Sequence, residues 1–84
     1  MLSKNDFLRI IRYRETRKEI PAISNLLKTI AWHEFVNRRE TDDIIANAYT
    51  EDSIYDREMD IADEIINEMV KQQTEKKEYN KKEQ

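Results

Sequence analysis

An all-α fold, a small antiparallel bundle of three to four helices with a long C-terminal helix, is what this sequence predicts, on three observations. Helix-start signals recur at Ser3, Pro21, Thr41 and Thr50. Apolar residues return at spacings of three and four, most regularly between Tyr55 and Met69. No segment alternates as a half-buried strand does, and the absence of any glycine removes the tight turns that join hairpin strands.

The first helix is expected over 4–19. Ser3 with Asp6 reads as a capping box, and Leu2 and Phe7 occupy the positions of a hydrophobic staple. Phe7, Leu8, Ile10 and Ile11 share one side, but Arg14, Glu15 and Lys18 fall on that side in the following turns, so the apolar stripe fails halfway. Ile20-Pro21 ends the helix, because the residue before proline avoids the α region, while Pro21 suits a first turn. A second helix is therefore placed at 21–37, with Ile23, Leu26, Leu27 and Ile30 on its core face and Trp32, Phe35 and Val36 on roughly the opposite one.

Asn37 to Glu40 reads as a loop, and Thr41, backed by Asp42 and Asp43, as the N-cap of a short third helix at 42–49. Ile44, Ile45, Ala48 and Tyr49 point about 80° away from the apolar stripe that follows, which calls for a kink or break. Thr50 then caps a fourth helix from 51 to about 74, with Tyr49 and Ile54 at staple positions. Its stripe of Tyr55, Met59, Ala62, Ile66 and Met69 is widened by Ile54, Ile61 and Ile65. From Lys71 onward Tyr79 is the sole apolar residue, so the chain divides into one helical domain, 1–74, and a polar flexible tail, 75–84.

Composition narrows the chemistry. Eighty-four residues leave room for one core, and eleven isoleucines in a chain that is 39% charged mark a small folded domain rather than a disordered segment. Without glycine there is no phosphate-cradling loop; without cysteine there is no disulfide or thiolate metal site, and the lone His33 cannot build a multi-histidine centre. His33-Glu34 followed by Asn37 lacks the second imidazole of the zinc-protease pattern. No cofactor, no metal and no enzymatic activity are expected. No apolar run approaches the roughly 20 residues that span a bilayer, and residues 1–7 carry no signal-peptide core, so a cytoplasmic location without membrane attachment is expected.

Two carboxylate pairs stand at i, i+3: Glu40 with Asp43, and Asp60 with Asp63. Such a pair on a helix can hold Mg²⁺, with water and a diphosphate completing its shell. Asp60-Ile-Ala-Asp63 resembles the E-x-x-D helix motif of the all-α nucleotide pyrophosphohydrolases of the MazG type, over about eight residues and with Asp60 where that family has Glu. The resemblance implies a Mg²⁺-dependent nucleotide hydrolase, which stands as a second alternative.

Charge is sorted along the chain, with residues 1–39 carrying net +5, residues 40–70 net −10 and residues 71–84 net +2. Asp52, Asp56, Asp60 and Asp63 form an acidic row beside the apolar seam of the last helix, toward which Arg14 and Lys18 are expected to reach. Read as an interaction surface, that row imitates a phosphate backbone and offers itself to a basic groove on a partner. Arg9, Arg12, Arg14, Arg17 and Lys18, with Tyr13 among them, form the candidate nucleic-acid surface, since phosphate contacts use Lys and Arg while an aromatic ring stacks. The first helix, the Ile20-Pro21 turn and a helix opening at Ser24 and Asn25 resemble a helix-turn-helix.

These readings converge on a small non-enzymatic helical interaction protein that binds and regulates or inhibits another macromolecule. Trp32, Phe35 and Val36 are its expected anchors, and Asp52, Asp56, Asp60 and Asp63 its charged flank. Ile54, Ile61 and Ile65 offer more apolar surface than a short bundle needs, which predicts a homodimer or higher oligomer. Nucleic-acid binding through the basic first helix is the first alternative. Small size and an Ile-, Lys- and Asn-rich composition suit an accessory protein of a phage or mobile element.

Overall fold

Four helices make up the regular structure of the described residues: α1 (Lys4–Thr16), α2 (Asn25–Thr41), α3 (Asp43–Ala46) and α4 (Glu51–Glu83), with no strand among them. This computed structural model describes the backbone of residues 1–83 and the side chains of residues 1–74, so the polar tail expected at 75–84 lies outside the residues described in full. The long C-terminal helix has 33 residues and lies along a molecule whose greatest extent is 53 Å.

The first helix starts as the sequence predicts. Ser3 Oγ accepts from the Asp6 N–H at 3.1 Å, and the Ser3 N–H donates to the Asp6 carboxylate at 3.5 Å. It stops at Thr16, three residues early, through a Schellman turn: the Lys18 N–H donates to the Glu15 carbonyl at 3.0 Å and the Glu19 N–H to that of Arg14 at 2.9 Å. Lys18 takes φ 60°, a left-handed position that glycine would fill if the chain had one. The expected extension to residue 19 is thus cut off by a local backbone motif rather than by Pro21.

Between Arg17 and Ser24 the chain carries Ile20 and Ile23 into the core. Two side chains from elsewhere hold it. The Ile23 N–H donates to the Glu15 carboxylate at 2.7 Å, and Gln73 of α4 donates to the Ala22 carbonyl at 2.8 Å while accepting from the Ser24 N–H at 3.4 Å. The second helix accordingly begins after Ser24, whose Oγ accepts from the Leu27 N–H at 3.2 Å, and not at Pro21. It continues through the expected loop at 37–40 to Thr41.

Asp42 is both the end of α2 and the N-cap of α3, a role expected of Thr41. One Asp42 oxygen accepts from the Ile45 N–H at 2.9 Å; the other receives two bonds from the Arg57 guanidinium at 3.0 and 2.9 Å. The third helix has only four residues, against the eight expected. Thr50 caps α4 as predicted, accepting from the Ser53 N–H at 3.1 Å, but Tyr49 is fully exposed and does not staple onto Ile54.

Side-chain pairs fix the helix directions. Arg39 meets Glu58 while Gln73 meets Ser24, so α2 runs antiparallel to α4; Leu2 meets Arg39 while Glu15 meets Lys28, so α1 runs antiparallel to α2. It follows that α1 and α4 are parallel. Phe7 and Ile11 of α1, Ala31 and Phe35 of α2, and Ile61, Ala62, Ile65 and Ile66 of α4 are buried together. Here α2 is turned away from its expected orientation: Ala31 and Phe35 face inward, while Leu26 and Ile30 are 70% and 45% exposed. Because α2 packs against the Ile61 and Ile65 side of α4, these two residues are interior and the surplus apolar stripe that suggested oligomerisation is covered within the chain.

Two outcomes test this packing. Phe35→Ala should destabilise the fold by about 3–5 kcal/mol in chemical denaturation, the usual cost of emptying a core phenylalanine site, whereas Leu26→Ala should stay within about 0.5 kcal/mol. The Arg57 guanidinium, helped by the Ile45 amide, holds the Asp42 carboxyl below the usual carboxylate range. Its contribution to stability is therefore complete above the ordinary carboxylate value and disappears as pH falls through the depressed one. In acid titrations followed by circular dichroism, Asp42→Asn should be less stable than wild type at neutral pH, and the difference should shrink toward strongly acidic pH.

Candidate functional site

The aromatic residues expected to anchor a partner belong to the interior. Phe35 is fully enclosed, its ring centroid 5.2 Å from that of Phe7 and 5.5 Å from that of Trp32. Trp32 is half-buried against the same cluster, 5.7 Å from Phe7, and Val36 is also half-buried. The wheel placed these residues opposite Leu26 and Ile30 correctly, but the core lies on their side. Phe35 is therefore not available as a surface anchor.

What the fold leaves open is a groove of about 780 Å³ between the parallel helices α1 and α4, a volume in the range of binding clefts, about 300–1,000 Å³. Ile10 and Met59 face each other across it, half-buried, and Tyr13 and Tyr55, 58% and 50% exposed, stand on its two sides. The walls are tied at both ends. At one end the Leu2 N–H donates to Glu58 at 3.0 Å; at the other Arg14 lies 3.7 Å from Asp63 and donates to Asn67 at 3.5 Å. Between these ties the helices stand apart, and the apolar side chains on their facing surfaces have no third helix over them.

Of the acidic row on α4, Asp63 lines the groove and the other three lie outside its lining. Asp52, Asp56, Asp60 and Asp63 are all exposed, and of the four only Asp63 has an ion-pair partner among the described residues, Arg14. The expected reach of α1 across to this row is thus made by Arg14, while Lys18, turned outward at the end of the helix, makes no such pair. Nor do the bases of α1 form one surface. Arg12 is exposed away from the groove, Arg9 is exposed and lines it, Arg14 is directed toward α4, and Arg17 packs over Tyr13, donating to its hydroxyl at 2.7 Å and lying 3.6 Å from Glu19.

Asp60 and Asp63, the pair that resembles a nucleotide-hydrolase motif, remain a pair: among the described residues no three His, Cys, Asp or Glu side chains are grouped to hold a metal ion. No helix is long and apolar enough to cross a membrane among the described residues. His33 is exposed on α2.

Sequence reasoning missed Tyr13, Tyr55 and Met59 as one groove, because Tyr55 and Met59 lie on the apolar stripe and were assigned to the core. The buried Glu58 had a visible signal: it precedes Ala62 by four residues, so it interrupts the very stripe that otherwise defines the core. Comparison with family models, with curated proteins and with solved structures found no match to this chain.

Proposed function

We propose that the chain is a non-enzymatic helical interaction protein whose binding surface is the α1–α4 groove together with the acidic row beside it, and that it regulates or inhibits the macromolecule it binds. The observation that carries this reading is the pair of half-exposed tyrosines, Tyr13 and Tyr55, on an open, apolar-floored groove. Aromatic side chains that enter or frame a partner's pocket dominate binding energies, and a charged flank raises the rate of encounter and selects a basic partner. Small size and composition support an accessory protein of a phage or mobile element, acting in the cytoplasm.

A second reading has its own support: Arg9, Arg12 and Lys18 are exposed without an ion pair among the described residues, as phosphate contacts require. Retention on duplex DNA at moderate salt, lost in Arg9→Ala with Arg12→Ala, would favour nucleic acid over protein.

The protein-binding reading is tested by purifying tagged wild type and variants from the source cells. Tyr13→Ala with Tyr55→Ala should weaken the retained partner by about 30-fold, the equivalent of about 2 kcal/mol for truncated interface aromatics, with helicity unchanged. Asp56→Lys with Asp60→Lys should slow association, and the effect should shrink as salt rises. Capture equal to wild type in both variants would overturn the assignment of the surface.

A further inference from the structure

Two helices wall the groove, and their side-chain repeat decides what kind of chain fits between them. On α4, Tyr55, Met59, Asp63 and Asn67 line it at successive steps of four residues; on α1, Asp6, Ile10 and Tyr13 line it at steps of four and three. Both walls are therefore helical ridges, and the α4 ridge runs for about 18 Å, a little over three turns. A ridge with that repeat is complementary to the ridges of another helix. On its Ile61 and Ile65 side α4 already carries α2, whose buried residues Ala31 and Phe35 are likewise four apart.

Main-chain chemistry leads to the same occupant. An extended peptide takes its register from hydrogen bonds to a strand edge, and there is no strand among the described residues. The main-chain groups along the lining stretches of α1 and α4 are used inside their own helices. At one end of the groove Arg14, Asp63 and Asn67 are engaged with one another. A chain seated over Ile10 and Met59 finds no main-chain partners there, and an α-helix is the form that brings its own.

Charge sets which edge of that helix faces α4. Asp52, Asp56 and Asp60 each precede a lining residue, Tyr55, Met59 and Asp63, by three positions, so they form a second row about 60° round α4 on the side away from the core. All three are exposed and without an ion pair among the described residues. The α1 rim has no such bias, since Asp6 and Arg9 both line it. We propose that the groove holds an amphipathic α-helix of a partner protein, its apolar stripe over Ile10 and Met59 between the two tyrosines, with Lys or Arg side chains along the one edge that meets Asp52, Asp56 and Asp60. This rests on the reading of the groove as the interaction surface.

Synthetic peptides test the form of the occupant separately from the surface. The probe is an alanine-based peptide of about 16 residues, somewhat over four turns, with leucines at i, i+3, i+4 and i+7 and lysines along one edge of that stripe. Titrated into the isotope-labelled chain, it should shift the amide NMR signals of Ile10, Tyr13, Tyr55 and Met59 and gain helicity by circular dichroism. Two central prolines, or a scrambled order that forms no stripe, should weaken it by at least about tenfold. Asp56→Lys with Asp60→Lys, both at exposed positions, should weaken it at low salt and less so at high salt. No saturable binding up to about 1 mM, shifts confined to another face, or binding indifferent to proline would overturn the proposal. Shifts of the same residues on raising the protein concentration alone would place a second copy in the groove and overturn it as well. If the peptides fail but Tyr13→Ala with Tyr55→Ala still releases the native partner, the helix is wrong and the surface stands; if that variant also keeps its partner, both fall.

Discussion

A single enclosed carboxylate ties this small molecule together. Glu58 lies on the core side of α4 with no exposed surface, and one of its oxygens accepts from both the Leu2 N–H at 3.0 Å and the Arg39 guanidinium at 3.3 Å. The same Arg39 nitrogen donates to the Leu2 carbonyl at 3.0 Å, and the guanidinium lies over the rings of Phe35 and Trp32 at 5.2 and 5.8 Å. The segment before α1, the end of α2 and the core face of α4 thus meet on one ion pair. Removing one member of a buried pair leaves the other charge enclosed and unmatched, at a cost of about 3–5 kcal/mol, against a total stability for a domain of about 5–15 kcal/mol. The second Glu58 oxygen has no hydrogen-bond partner, so the carboxylate depends all the more on Arg39 and Leu2.

The groove follows from that anchorage. On one side of α4, α2 is bound along its length, by Gln73 at its start, by Arg38 bridging Glu34 and Glu68 in its later turns, and by Arg39 near its end. Its aromatic and isoleucine contacts fill that side. On the other side, the polar ties between the α1 segment and α4 among the described residues are those of Leu2 near its start and Arg14 near its end, and the groove opens between them. Phe7, Trp32 and Phe35 pack together on the α2 side, while Ile10, Met59, Tyr13 and Tyr55 stand around an open cleft. Charged residues take the positions that solvent reaches, Asp52, Asp56, Asp60 and Asp63 along α4 among them.

Local signals in the sequence carried the parts of the fold that local chemistry decides. Ser3 and Thr50 act as caps where the pattern put them, the last helix is the longest, and Arg14 reaches the acidic row at Asp63. The starts and stops that went astray are those decided from a distance. Gln73 pins the carbonyl of Ala22 and the amide of Ser24, so α2 starts late; Arg57 engages Asp42, so the α2–α3 junction moves; and the Schellman turn at Lys18 forms without the glycine that normally announces it. The face of α2 was ambiguous for a different reason. Leu26 and Ile30 on one side and Trp32 and Phe35 on the other give two overlapping apolar sectors, and periodicity does not say which of them meets α4. Small Ala31, which lets α2 approach, made no mark on the pattern. The acidic half of the candidate surface was legible as a row of aspartates at helical spacing, but the groove was not, because it depends on how far α1 stands from α4.

The most direct test of the Glu58 anchorage is amide hydrogen exchange at Leu2, measured by NMR on the wild-type chain. Residues so close to a chain end exchange freely unless tertiary structure holds them, and the neighbouring Lys4 and Asn5 amides are first-turn donors without an intrahelical partner. An N–H that donates to an enclosed carboxylate should exchange far more slowly, on the timescale of the core amides of α2 and α4. A Leu2 amide that exchanges as fast as those of Lys4 and Asn5 would contradict the anchorage, and with it the placement of α1 that opens the groove.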